Sequence, residues 1–451
     1  MRLAGMIWTI LPILFLAAAV VAQSPQVRVT VYNNNLALVH ETRQMDLPKP
    51  TGVCSFRDVA AHIDPTSVHF KSVSNAVAVR VLEQNFEYDL VSAEKILQRY
   101  IDQNVRLMPK QGSPIEGKLL STGGNIVVQA ADNSIRILNN SEIVATDLPK
   151  LPDGLITRPT LVWQIQNNGP ASQMVEVSYM TSGMSWHAEY VGVLDANDQN
   201  LDLNAWVSID NNSGATFKDA KLLLVAGDVH RAERPVQPMM RKSVQMEMMA
   251  AAPDFEEKEF FEYHLYTLTR SATLKDHQQK QIELFPSART PVTKEYTYDG
   301  MRNPKKVNVT ITLKNKKEAG LGLPLPAGKV RLYKPEGDAQ VLVGEDNIDH
   351  TPRDEEVRLN VGDAFDIVGE RQQVSYRQVG DRASEEKVKV TLRNHKDAAI
   401  NVIVIEHLGG DWKITESTLQ HKKKDAQTAE WRVPVAARGE ANLEYTVFRT
   451  W

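Results

Sequence analysis

The stretch VKVTLRNHKDAAINVIVIEHLGGDWKI, residues 388–414, decides how this chain is read. Apolar and polar residues alternate from Val388, a turn containing Asn394 follows, alternation resumes, and a Gly409-Gly410 turn leads into a third segment at Trp412. Alternation with a period of two marks a strand with one buried face. The same design recurs in LVWQIQNNGPASQMVEVSYMTSGMSWHAEY, residues 161–190, and in VNVTITLKNKKEAGLGLPLPAGKVRLY, residues 307–333. Asn167 precedes Trp186 by 19 residues and Asn394 precedes Trp412 by 18, yet the interval between copies is not constant. Hairpins of one design at uneven spacing fit immunoglobulin-like β-sandwiches better than a solenoid, which keeps a fixed period. Residues 151–451 are therefore expected to form a β-sandwich region. Within it, residues 231–257 hold Pro235, Pro238, Pro253 and Met239, Met240, Met246, Met248 and Met249 without periodicity, which predicts a long mobile loop.

Upstream, residues 23–88 read as an N-terminal β region, with alternation in Val27–Tyr32 and further strand signals at Leu36–His40, Val68–Phe70 and Val77–Leu82. Residues 89–104 read as the one helix: Leu90, Ala93, Leu97, Tyr100 and Ile101 form a stripe, and Asp89 is placed to cap it. Residues 105–150 read as a small SH3-like, barrel-like β unit. Its strands are expected at Val105–Met108, Ile115–Leu120, Ile126–Gln129, Ser134–Leu138 and Glu142–Ala145, separated by Gly112-Ser113-Pro114, Gly123-Gly124-Asn125 and Asp132-Asn133. The fold class that follows is mainly β.

Composition narrows the function. In 451 residues, 42% hydrophobic and 24% charged, the balance is globular. With 52 Lys+Arg against 56 Asp+Glu the net charge is −4, leaving no positive excess for a nucleic-acid backbone. A lone cysteine, Cys54, excludes an intrachain disulfide and a cysteine-built zinc site. Residues 1–22, MRLAGMIWTILPILFLAAAVVA, read as a signal peptide: Arg2 is the positive start, Met6–Leu16 the apolar core, Val20-Val21-Ala22 the small-residue end. Cleavage between Ala22 and Gln23 is expected, since the following QSPQ lacks the positive flank of a membrane anchor.

The methionines near Met246 and Met248 are soft donors of the kind copper(I) prefers, but no histidine accompanies them, and a flexible loop accounts for them. His62 and His69 straddle Asp64-Pro65 at no ligand spacing. Gly183-Met184-Ser185-Trp186-His187 begins like a nucleophile elbow, but His187 stands where a second glycine belongs, so Ser185 reads as a turn residue before a strand. Gly322 to Gly328-Lys329 is one residue too long for a phosphate loop, and Val330 replaces its hydroxyl residue. Asp210, Asp219 and Asp228 could supply a carboxylate pair only if the fold joined them; otherwise they read as β-turn acids. Trp163, Trp186, Trp206, Trp412 and Trp431 fall in strands, where core filling competes with a sugar-stacking face. Glycosylation sequons begin at Asn139, Asn211 and Asn308.

Several stretches resemble a family of exported bacterial proteins of unknown function related to the mucoidy-inhibitor-like proteins. They are NNNLALVHETRQMDLP from Asn33, DVAAHIDPTSVHFKS from Asp58, VLEQNFEYDLVS from Val81 and SYMTSGMSWHAEYVGVLD from Ser178. WVSIDNNSGATFKDAKLLLVAGDVHR from Trp206 is the most specific, with EYHLYTL from Glu262 and GEANLEYTVFRTW from Gly439 completing the set. The resemblance implies an all-β C-terminal domain and an envelope-associated life, and it transfers no catalytic residue. Mucoidy-inhibitor-like members carry a long coiled coil that this chain replaces with the short helix near Asp89–Gln103. The expectation is an exported, noncatalytic interaction protein, periplasmic or extracellular, with an envelope protein as partner and no cofactor, metal, nucleic acid or stable membrane span. Two alternatives stay open: a carbohydrate-binding module using Trp186 or Trp412, and a hydrolase assembled from distant loops.

Overall fold

Alternation carries through from sequence to structure. In Ala383–Asn394 every second side chain from Ser384 to Asn394 is buried, and Met184–Leu194 repeats the pattern over its whole length. The computed structural model describes residues 26–227, 229 and 255–451. The signal segment 1–22, its Ala22 and Gln23, and the methionine cluster at 239–249 lie outside the described residues. The loop expected over 231–257 ends early: residues 255–257 belong to the strand Phe255–Phe260, which pairs with Tyr263–Leu268. The paired backbone of Phe255 to Glu257 satisfies its polar groups in a ladder, which a loop would leave to water. The described residues are mainly β strands with one α-helix, and no helix among them is long and apolar enough to cross a membrane. They fall into two units.

The first unit holds residues 26–27, His40–Arg57 and Val68–Ser178. Its five-stranded antiparallel sheet runs in the order Ile143–Asp147, Asn104–Pro109, Ile115–Ser121, Asn125–Ala130, Ile135–Asn139. The two edge strands are consecutive in the chain, joined only by the 3-10 turn Asn140–Glu142. Four Cα steps of about 3.8 Å span at most about 15 Å, less than the roughly 19 Å width of five flat strands. The sheet must therefore curl, in the SH3-like manner, but no ladder joins its edges and the expected barrel does not close. The core of the curl is Tyr100, Val105, Leu107, Leu119, Ile126 and Val128, covered by Ile96 and Leu97 of the helix.

That helix is shorter than its periodicity suggests, Ala93–Arg99 rather than 89–104. Ser92 is the N-cap, its hydroxyl accepting the Lys95 N–H at 3.2 Å. Residues 89–91 are extended instead, because Val91 N–H donates to the Ile156 carbonyl at 2.9 Å and Ile156 N–H returns a bond to Asp89 at 3.1 Å. Asp89 serves the helix from outside, pairing with Lys95 at 2.8 Å and Arg99 at 3.1 Å.

The second unit holds Arg28–Val39, Asp58–Ser67 and Tyr179–Trp451. The strands expected from the hairpin design at 307–333 and 388–414 appear as Lys306–Lys314 and Gly328–Glu336, and as Ala383–Asn394, Ile400–His407 and Asp411–Ser417. Its C-terminal sandwich packs Val388, Val390 and Leu392 from one layer against Val402, Val404, Trp431 and Val433 from the other. The strand Gln278–Tyr298 runs for 21 residues and joins regions: its first part pairs with Asn200–Asn211, its end with both Lys306–Lys314 and Ile400–His407.

One device recurs at strand ends. Asn167, Asn211, Asn315 and Asn394 are each at most 1% exposed. Every one sits in phase with the buried residues of its strand, one step past the last apolar one. The Asn394 Nδ2 group donates to Ala398 and Ala436 carbonyls, both at 2.9 Å, and its Oδ1 accepts the Lys396 N–H at 3.0 Å. Asn315 likewise donates to Leu323 at 2.7 Å and Pro352 at 2.9 Å and accepts from Gly322 at 3.1 Å. Asn211 and Asn167 repeat the arrangement with Ala215 and Ser213, and with Pro170 and Gly169. Each thus ties its own turn to itself and reaches a second segment as well: Asn167 to Leu47, Asn211 to Leu274 and Lys275, Asn315 to Pro352 and Asn394 to Ala436. Replacing Asn394 by Ala should lower unfolding free energy by about 2–4 kcal/mol in urea titrations, since two carbonyls and an N–H lose their partner in a buried site. Asn401→Ala, at an exposed position, should shift it by less than about 0.5 kcal/mol.

Candidate functional site

The tryptophans are core residues. Trp163, Trp186, Trp412 and Trp431 are buried, and each indole N–H has a partner: Gln84, the Val225 carbonyl, the Ala426 carbonyl and Ser417, at 2.7–3.0 Å. Trp186 and Trp412 therefore cannot serve as a sugar-stacking platform, because their faces are already packed. Trp206 is half-buried, between Glu189 and Glu283 in its sheet. Ser185 lies inside the strand Met184–Leu194 opposite Asp210, with no helix after it. Asp219 sits at φ 47° in an irregular pairing with the strand Ala272–Leu274, its N–H on Thr273; Asp228 lies outside the described residues. Gly322 and Leu323 wrap around the Asn315 amide rather than around a ligand. His62 is held through its main chain by Ser213 and Ser182, while His69 faces Ser178 in a strand pair. Among the sequons, Asn139 caps a 3-10 turn, Asn211 is buried, and Asn308 donates to Asn360.

A second group was not foreseen. Glu406, with a fully buried side chain, receives Arg371 Nε at 3.1 Å on each oxygen. Arg371 also reaches Glu386 at 3.5 Å, and Glu386 binds Arg449 at 2.7 Å. Four strands contribute one charge each, so the chain of ions straps both layers of the sandwich together. Burial pushes the Glu406 carboxyl above its ordinary value even though Arg371 pulls the other way. Burial and the Glu406 charge also push the Tyr298 phenol up to about 12. A carboxylate with no exposed atom meets no substrate, so this group is structural. The signal in the sequence was phase: Glu386 falls in register with Val388 and Val390, and Glu406 with Val402 and Val404.

Among the described residues, two clefts open to solvent: one of roughly 550 Å³ on the five-stranded sheet, lined by Arg106, Glu116, Lys118 and Gln129, and one of roughly 580 Å³ beside the long strand. The second is bordered by unpaired strand edges. One edge of Gln278–Tyr298 is covered by Asn200–Asn211 as far as Pro291, and by the parallel strand Ile400–His407 only from Tyr296 onward. In between, Thr293, Lys294 and Glu295 pair with Thr312, Ile311 and Thr310 on the other edge alone. Across the cleft, Ile400 and Asn401 pair only with Val435 and Pro434. Strand residues send their N–H and C=O groups alternately to the two sides, so main-chain donors and acceptors on both walls face water. Lys294 and Lys396 flank the Tyr296 ring, each ammonium 5.9 Å from its centroid. Arg432 completes the lining.

Residues 175–451, more than half of the chain, match the family described as a domain of unknown function, DUF4139. The chain belongs to that family. The DUF4139 region contains the cleft, the buried ion chain and three of the four asparagine ties, those at Asn211, Asn315 and Asn394. No curated protein matches the chain.

For the ion chain, Glu406→Ala should destabilise by about 3–5 kcal/mol, because Arg371 is then left buried beside an empty site. The pair Glu406→Leu with Arg371→Met should recover most of that loss, since apolar groups of similar volume need no charge partner. Urea midpoints of the two variants decide it: equal losses would mean that cavity formation, not the unpaired charge, sets the effect.

Proposed function

We propose that this DUF4139 protein is an exported, envelope-associated interaction protein that accepts an extended segment of a partner at the interrupted strand edge. The observation that carries the reading is the facing pair of half-paired edges, Thr293–Glu295 and Ile400–Asn401. Strand addition draws on such edges, with main-chain bonds supplying affinity and side-chain pockets supplying choice. Exposed edges are normally blunted or covered, because they otherwise pair with any available chain. Export rests on the residues 1–22, whose order of charge, apolar run and small-residue end is that of a signal peptide, and on the resemblance to mucoidy-inhibitor-like proteins. The burial of Trp186 and Trp412 weighs against the carbohydrate alternative.

The test is photo-cross-linking in the native host, with the reactive amino acid at Asn401 in the cleft or at exposed Gln98 as control. A discrete adduct to an envelope protein from Asn401 and none from Gln98 is the expected result, with Gln23 as the first residue of the recovered chain. Adducts of equal yield from both positions, or none from Asn401, would overturn the assignment of the cleft. A recovered terminus at Met1 would overturn cleavage.

A further inference from the structure

We infer that the segment received by the cleft is acidic: an extended stretch of partner chain carrying aspartate or glutamate at alternate positions. This rests on the strand-acceptor reading above and adds to it the chemistry of the occupant.

The inference comes from how the charges around the cleft are matched. Glu295 is the one acidic side chain in the lining; Arg358 lies 3.4 Å from it and is shared with Glu356 at 2.8 Å. Lys294 is bound to Asp198, but Asp198 is also bound by Lys334, so two ammonium groups share one carboxylate. Burial opposes ionisation of Asp198, yet the two lysines outweigh it and hold its carboxyl below the usual range. Lys396 makes contact with the Tyr296 ring, and the adjacent Asp397 is engaged by Arg438 rather than by Lys396. Arg432 is exposed on the strand Thr428–Val435, and the neighbouring Glu430 is paired with Lys424 at 2.7 Å. Each acid near the cleft thus has a cationic partner, and the lining itself sets Lys294, Lys396 and Arg432 against Glu295, a cationic surplus on a chain whose net charge is −4.

Geometry sets the form of the occupant. The uncovered edge spans Thr293 to Glu295, three residues or about 10 Å of strand, since Val292 N–H already donates to the Gln199 carbonyl at 2.9 Å. So short a ladder gives few main-chain bonds, each worth only about 0.5–1.5 kcal/mol net. Side chains must then supply selectivity. In an extended segment alternate side chains point the same way, so acids at every second position would turn together toward Lys396 and Arg432. Lysine on an edge also discourages self-pairing, and the experiment separates that role from recognition.

Three fluorescein-labelled decapeptides, alternating Val with Asp, Val with Asn, or Val with Lys, are titrated against the mature chain by fluorescence anisotropy. The aspartate peptide should bind at least about tenfold more tightly than the asparagine peptide, and its affinity should fall as salt rises. Lys396→Ala with Arg432→Ala should weaken it about tenfold, while Lys110→Ala at an exposed site of the first unit leaves it unchanged. Lys396→Glu with Arg432→Glu should turn preference toward the lysine peptide, a gain that a misfolded protein cannot produce. Equal binding of aspartate and asparagine peptides overturns the acidic occupant and leaves the strand acceptor standing. Binding of none of the three overturns both, and the lysines are then guards of the edge.

Discussion

An asparagine side chain carries two donors and an acceptor that must all be met when it is buried, and this fold places one at the end of each of four strands. At Asn167, Asn211, Asn315 and Asn394 the inward phase of the strand would call for another apolar residue. The strand is ending there, however, and the turn that follows brings main-chain groups into the same buried space. An apolar side chain would leave those groups orphaned, whereas the amide accepts from the turn's N–H and donates to its carbonyls. Where the chain turns is thereby fixed, and with it the register of the next strand. A slip of one residue would bring the asparagine to the surface and the valines with it.

Register fixed at the ends lets the interior carry unusual residues. The chain of Arg371, Glu386, Glu406 and Arg449 lies among Val388, Tyr298 and Tyr445, where isolated charges would be severely penalised. It persists because each carboxylate meets a guanidinium from a different strand, a match that only one mutual alignment of the four strands allows. The asparagine ties and the ion chain therefore constrain the same quantity from opposite directions, the ties from the turns and the ions from the middle of the strands.

How much of this the sequence disclosed follows the same physics. Strands of the curled sheet lay close to their expected positions, because alternation and Gly or Asn turns are local signals. The repeated hairpin was visible through its asparagine, although the side-chain bonds that explain it were not. The helix was overextended at Asp89 because a stripe of apolar residues does not reveal that the main chain of Asp89 and Val91 is claimed by Ile156. Barrel closure was expected from strand count, but pairing of edges is a long-range event that composition does not encode. The buried glutamates did leave a trace, a charge in phase with valines. The cleft left none, since it arises where two neighbours of one strand stop short of each other.

That origin explains why the cleft can be held open. The Asn200–Asn211 partner reaches only to Pro291, with one further bond from Val292 N–H to the Gln199 carbonyl, because that strand itself begins there, out of a turn in which Asp195 N–H donates to the Asn200 carbonyl. On the far side, Tyr296 is drawn into the sandwich core at 8% exposure, so pairing with Ile400–His407 begins only where that ring is buried. The residues between belong to neither arrangement: one neighbour is limited by the turn from which it starts, the other by an aromatic anchor. Closing the gap would require either end to move, against a sheet pinned by its turns on one side and by Tyr298 and the ion chain on the other. The uncovered backbone is in this way a product of the packing, and water satisfies it at no loss relative to the unfolded chain. A partner strand that replaces the water exchanges one set of hydrogen bonds for another, so the net gain must come from what its side chains meet at Lys396 and Arg432.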